Sequence, residues 1–105
     1  MTKYGAIPTV VDNITFASRA EARRYGELKL MQQVGEIKDL FVHPTWPIVI
    51  NGYKVTTYAA DFSYGDTLTG KLVVEDVKGV RTGVYKLKKR LLFACHGLVV
   101  TEIDA

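Results

Sequence analysis

The sequence predicts a single α/β domain, with a mixed central sheet flanked by two helices. Three features lead to this reading. Two segments have helical apolar spacing and end at capping residues; the stretches between them alternate as strands; one more strand follows the second helix. Strands joined by tight turns run antiparallel, whereas a strand reached through a helical crossover lies parallel to its neighbour. The order helix, antiparallel strands, helix, strand is therefore an α/β sandwich with a mixed sheet.

Residues 1–15 read as an irregular N-terminal arm, in which Asp12-Asn13 turns into Ile14-Thr15-Phe16. Ser18-Arg19-Ala20-Glu21 fits a capping box, with Glu21 at the third helical position. Ala20, Tyr25, Leu28 and Met31 supply an apolar stripe, and Gly35 supplies the stop. Residues 37–43 form a first strand. Pro44 and Pro47 interrupt the chain after it, so the segment between them is an edge strand or a loop. Asn51-Gly52 lies between Ile48-Val49-Ile50 and Tyr53-Lys54-Val55 and suits a type I′ hairpin. The second arm of that hairpin is expected to run on through Tyr58 to Tyr64. Gly65 to Gly70 form a turn, and residues 71–78 form a strand apolar enough to be central, ended by Gly79. A second helix is expected from Thr82 to His96, with Gly97 beyond it. Val84, Leu87, Leu91 and Ala94 provide its apolar spacing, joined by Leu92 and Cys95. Residues 98–103 close the sheet.

The chain has 105 residues, the size of one domain. Its composition, 48% hydrophobic and 24% charged, is that of a globular protein and excludes a disordered one. No apolar run approaches the ~20 residues that span a bilayer, so no membrane partner is expected. The first residues lack the apolar core of a signal peptide. The single cysteine, Cys95, excludes an intrachain disulfide and fits a reducing, cytoplasmic setting. With only two histidines, His43 and His96, it argues against a structural zinc site, and both histidines read as structural. The net charge is +3. From Val77 to Val100 there are Lys78, Arg81, Lys86, Lys88, Lys89 and Arg90 and no acid; Arg19, Arg23 and Arg24 form a second cluster. Such patches suit a polyanionic partner such as nucleic acid, or a solvated helix face; charge alone leaves both open.

Two acids in apolar strands need an explanation, because burying a charge costs several kcal/mol unless it is paired or binds a metal. Asp61 stands alone in Tyr58-Ala59-Ala60-Asp61-Phe62, in phase with Thr57, Ala59 and Ser63. Asp76 lies in Val74-Glu75-Asp76-Val77-Lys78-Gly79. On a strand Asp76 and Lys78 share a face and Glu75 points to the other.

An isolated Asp followed by Asp-x-Lys on the next strand resembles the active-site signature of the PD-(D/E)XK nuclease superfamily. The element order is similar to that superfamily's restriction-endonuclease-like αβββαβ core. Phe16-Ala17-Ser18-Arg19-Ala20-Glu21-Ala22-Arg23-Arg24-Tyr25, with the Asp61 and Asp76 segments, resembles a family of small phage-encoded proteins assigned to it. The proline that often precedes the first Asp is absent; Ala60 stands there. The resemblance implies a Mg²⁺-dependent DNA endonuclease, with Mn²⁺ able to substitute and no small-molecule cofactor. It implies metal ligation by Asp61, Asp76 and the Val77 backbone carbonyl, with Glu21 added from the first helix, and a catalytic Lys78. Arg19, Arg23, Arg81, Lys86 and Lys89 would contact branched or duplex DNA. The Holliday-junction resolvases of the superfamily are the functional analogues, which implies a homodimer acting in phage recombination or replication in the host cytoplasm. The alternative is a catalytically silent DNA-binding or protein-interaction module, or a subunit of a larger nuclease complex, on the same fold. Single residues also have plainer readings. Glu21 would serve only as the Ser18 capping partner, Asp76 and Lys78 as an ion pair on an edge strand, and Asp61 as an acceptor for turn amides. Tyr85 would contact phosphate or pack in the core, and Trp46 is a core plug or an exposed contact.

Overall fold

The structure, a computed structural model, describes residues 6–105. The first strands, β1 (Thr9–Val11) and β2 (Ile14–Phe16), pair antiparallel about Asp12-Asn13, both at positive φ. Residues 9–15 of the expected irregular arm therefore belong to a hairpin, because Asp and Asn tolerate the left-handed turn that joins short strands. Residues 1–5 of that arm lie outside the described residues. Helix α1 (Arg19–Gln33) begins at Ser18, whose Oγ accepts the Glu21 N–H at 3.1 Å. The chain leaves the helix through Gly35, whose φ of 84° favours glycine.

A four-stranded mixed sheet comes next, in the order β3-β6-β7-β8. Strands β3 (Ile37–Val42), β6 (Phe62–Asp66) and β7 (Leu72–Lys78) pair antiparallel. Helix α2 (Gly83–His96) then carries the chain to β8 (Val100–Asp104), which runs parallel to β7 as the crossover requires. Strands β4 (Thr45–Ile50) and β5 (Tyr53–Ala59) form a separate two-stranded hairpin inserted between β3 and β6. Asn51-Gly52 makes its turn, both residues at positive φ. The segment between the prolines is thus part of an edge strand, with Pro47 opposite Thr57.

Two expectations are corrected here. Tyr53 to Tyr64 is not one strand: β5 ends at Ala59, and Asp61 occupies a bend before β6. Three backbone hydrogen bonds impose the break, Ala60 N–H to the Pro44 carbonyl, His43 N–H to the Asp61 carbonyl, and Asp61 N–H to the Glu75 carbonyl. The alternation of Asp61 with Thr57, Ala59 and Ser63 therefore does not apply. In α2, Val84 and Leu87 are 68% and 54% exposed, and only Leu92 is fully buried. The hairpin decides which helix face is covered. It meets α2 through Cys95 Sγ on the Val49 carbonyl and His96 Nε2 beside the Pro47 carbonyl.

One apolar cluster packs α1 and the β1–β2 hairpin on the sheet, around Phe16, Leu28, Ile37 and Phe62. On the opposite face Ile48, Tyr58, Val74, Leu92 and Val100 form a second cluster beneath α2 and the hairpin. Trp46, partly buried, packs against this second cluster. Among the described residues, no helix is long and apolar enough to cross a membrane.

Candidate functional site

The site forms where the sheet forks. Strand β6 leaves β7 after the pair Phe62 and Glu75, so Asp76, Val77 and Lys78 have β8 on one side and no strand on the other. The Asp61 bend fills the gap. Its N–H donates to the Glu75 carbonyl at 3.1 Å and to Asp76 Oδ1 at 2.9 Å. Its own Oδ2 accepts the Val77 N–H at 2.7 Å. Glu75 and Val77 are two apart and so present their backbone groups to the same edge, which puts the Val77 carbonyl beside Asp61. Asp61, itself in a bend, thus accepts the amide of a strand residue and not of a turn, while its Oδ1 takes no hydrogen bond from a described residue.

Asp76 is 1% exposed, and Tyr58, also buried, donates its hydroxyl to Asp76 Oδ2. Asp76 and Lys78 face α2, where the Lys78 ammonium lies 4.5 Å from the centre of the Tyr85 ring. Tyr85 is held in turn by its hydroxyl on Glu102, at 2.8 Å. Glu75 points to the other face, as expected, where Arg24 grips both its oxygens at 2.8 and 2.7 Å and Tyr64 adds its hydroxyl. Glu21 is 4% exposed, and its Oε1 lies 2.8 Å from His43 Nε2. Only half of the capping box therefore forms: Ser18 caps the helix, while the Glu21 carboxylate turns to His43. A cavity of about 500 Å³ gathers Ser18, Arg19, Glu21, Asp61, Val77 and Lys78. Asp76 is not among the residues lining it.

Electrostatics couples the four expected site residues. Burial pushes the Asp61 carboxyl up to about 6, against the Val77 N–H; Glu21 and Asp76 push the same way, and Lys78 opposes them. Burial also raises Asp76, against the Tyr58 hydroxyl and Lys78. Tyr58 is raised by its burial and by Asp76. Asp61 therefore strains the fold at neutral pH. Its folded-state value lies above the ordinary 3.8, so its adverse contribution is absent below that value and grows as pH rises to about 6. Asp61→Asn keeps an oxygen for the Val77 N–H and removes the charge. It is expected to stabilise the protein at pH 7 by roughly 2 kcal/mol. The gain should vanish near pH 4 in urea titrations; equal stability of the two proteins at pH 7 would refute it.

The basic patches separate into free and occupied charges. Arg19 lines the cavity, and Arg23 and Lys86 are exposed. Arg81 is committed to Glu102 and Asp104, at 2.9 and 2.8 Å, and Lys89 to Glu102 at 2.9 Å. Hydrogen bonds from Lys89, Arg81 and Tyr85 hold Glu102 down at about 2. Arg81 and Lys89 are thus paired within the fold, because β8 brings acids alongside the acid-free stretch. Sequence reasoning missed Tyr58 and His43 as partners of the site acids. Their only local signals are a tyrosine three residues before Asp61 and a histidine at the end of a strand.

Among the described residues, no three His, Cys, Asp or Glu side chains are gathered into a metal-holding group. The groups named for the site offer oxygen only: Glu21, Asp61 and the Val77 carbonyl at the cavity, and Asp76 beside it with both oxygens engaged by Tyr58 and the Asp61 N–H. That chemistry fits a hard divalent cation such as Mg²⁺ rather than zinc.

Compared with known protein families, residues 1–100 match the family described as "Protein of unknown function (DUF1064)". The chain belongs to this family. No curated protein and no solved structure matches it. In this DUF1064 chain the match covers every residue placed at the fork, from Glu21 to Lys78.

Proposed function

We propose that the protein is a Mg²⁺-dependent DNA endonuclease with a restriction-endonuclease-like core. The observation that carries this reading is the fork. Asp61 and Asp76 are hydrogen-bonded to one another across it, and Glu21, Asp61, Val77 and Lys78 open on one cavity. With the two hairpins set aside, the order α1, β3, β6, β7, α2, β8 reads αβββαβ and supports the same conclusion.

Glu21, Asp61, Asp76 and the Val77 carbonyl would hold Mg²⁺. When bound, the ion supplies charge neutralisation at the phosphate and a more acidic water. The chain's own groups do the rest. Arg19, beside the positive end of α1, receives a phosphate at the cavity mouth. Lys78 orients the attacking water and stabilises negative charge developing on the phosphoryl oxygens. A single small domain has little room for base reading, so backbone and shape recognition of branched DNA is the favoured mode. Paired nicks on symmetric strands would call for a homodimer.

A second reading, a silent DNA-binding or protein-interaction module, draws on Asp76. Both its oxygens are already engaged, by Tyr58 and the Asp61 N–H, as a purely structural acid would be. A cleavage assay separates the two. Purified protein with Mg²⁺ or Mn²⁺ is given a four-way junction, a flap, linear duplex and single strand. Symmetric nicking of the junction supports a resolvase, and cleavage of another form alone keeps the nuclease and discards the resolvase. If the folded protein cleaves nothing, the silent module or the subunit of a larger complex takes its place.

A further inference from the structure

The geometry points to His43 as a positioning residue that sets the distance between Glu21 and Asp61. The inference rests on the reading that these two acids are metal ligands. His43 joins them with two separate groups. Its Nε2 lies 2.8 Å from Glu21 Oε1, and its backbone N–H donates to the Asp61 carbonyl at 2.9 Å. A carboxylate only accepts, so the shared hydrogen sits on Nε2.

The residue is held in place from several sides. It follows β3 at a φ of 55°, uncommon for any residue but glycine. Pro44 comes next, and the Pro44 carbonyl takes the Ala60 N–H, so this short stretch ties the end of β3 to the Asp61 bend. The Phe16 ring lies 5.8 Å from the imidazole. A left-handed histidine kept where, among the described residues, a side-chain bond links α1 to the segment holding the Asp61 bend is a strain expected at a functional site. Glu21 needs such a partner. It is nearly fully buried in the cavity wall, and without His43 no described side chain would hydrogen-bond its carboxylate.

Direct binding of Mn²⁺ to the purified protein, followed by electron paramagnetic resonance, tests the assignment without requiring cleavage. Four proteins are compared: wild type, His43→Ala, His43→Gln and His43→Asn. The Gln amide nitrogen reaches the position of Nε2, whereas that of Asn stops near Nδ1. The backbone preference runs the other way, since Asn tolerates positive φ better than Gln. Loss of a partner that orients a ligand typically weakens metal binding by about 10–100-fold. His43→Ala and His43→Asn should fall in that range, and His43→Gln should stay within about threefold of wild type. In a Glu21→Ala background the same changes should have no further effect. Asn outperforming Gln, or Ala binding like wild type, overturns the assignment and leaves the nuclease reading intact. A wild type that binds no Mn²⁺ overturns both.

Discussion

Lys78→Ala is expected to reduce Mg²⁺-dependent DNA cleavage by about 10²–10³-fold, the loss typical when one preorganised donor to developing charge is removed. Lys78 ends β7, held between β8 and the Tyr85 ring, with its charge felt by both Asp61 and Asp76. It is part-exposed and makes no ion pair among the described residues, so the variant should fold. The loss should appear in kcat, with DNA affinity little changed, as for an interaction made only in the transition state. Metal binding should not weaken. Removing a cation leaves the two acids more attractive to another cation. Lys78→Arg should not restore the rate, because a planar guanidinium does not replace a compact ammonium. A loss smaller than tenfold, or an equal loss of Mn²⁺ binding, would remove Lys78 from the catalytic role.

The legible part of the sequence was local. The Ser18 cap, the Asn51-Gly52 hairpin, the parallel last strand and the opposite directions of Glu75 and Asp76 all come from short-range rules of capping, turns and alternation. The bend at Asp61 did not, because Tyr58 to Tyr64 contains neither a glycine nor a proline. It is enforced by Pro44, His43 and Glu75, between 14 and 18 residues away in the chain. The pairing of the basic stretch was hidden for a similar reason. Its acids, Glu102 and Asp104, come after the stretch ends and reach it only through the β7–β8 register. In α2 two faces have usable apolar spacing, and the docking of a distant hairpin chooses between them. Local rules put Asp76 and Lys78 on one strand face; that Glu21 and Asp61 share a site with them was implied by the resemblance alone, and the hydrogen bonds of Tyr58 and His43 depend on the assembled fold.

Arg24→Ala is expected to destabilise the protein by about 3–5 kcal/mol, the range for removing one partner of a buried ion pair. Glu75 is 1% exposed, and Arg24 supplies two of the three hydrogen bonds its carboxylate receives. With alanine in place, only the Tyr64 hydroxyl remains against a charge sealed beneath α1. A domain of this size commonly has about 5–15 kcal/mol in all, so much of the margin would go. The penalty comes from the stranded charge rather than from the lost bridge, and a second substitution shows the difference. Glu75→Gln in the Arg24→Ala background should recover a large part of the loss, because a neutral amide is far cheaper to bury. Urea denaturation of the four proteins of this cycle gives the coupling directly. Independent, additive losses would mean that Glu75 is not stranded without Arg24. The pair also has a geometric consequence. Arg24 stands one turn beyond Glu21 on α1, and Glu75 stands next to Asp76 on β7. The same buried bridge that fastens helix to sheet therefore fixes where Glu21 meets the fork, and a variant lacking it would loosen the candidate site before it unfolds.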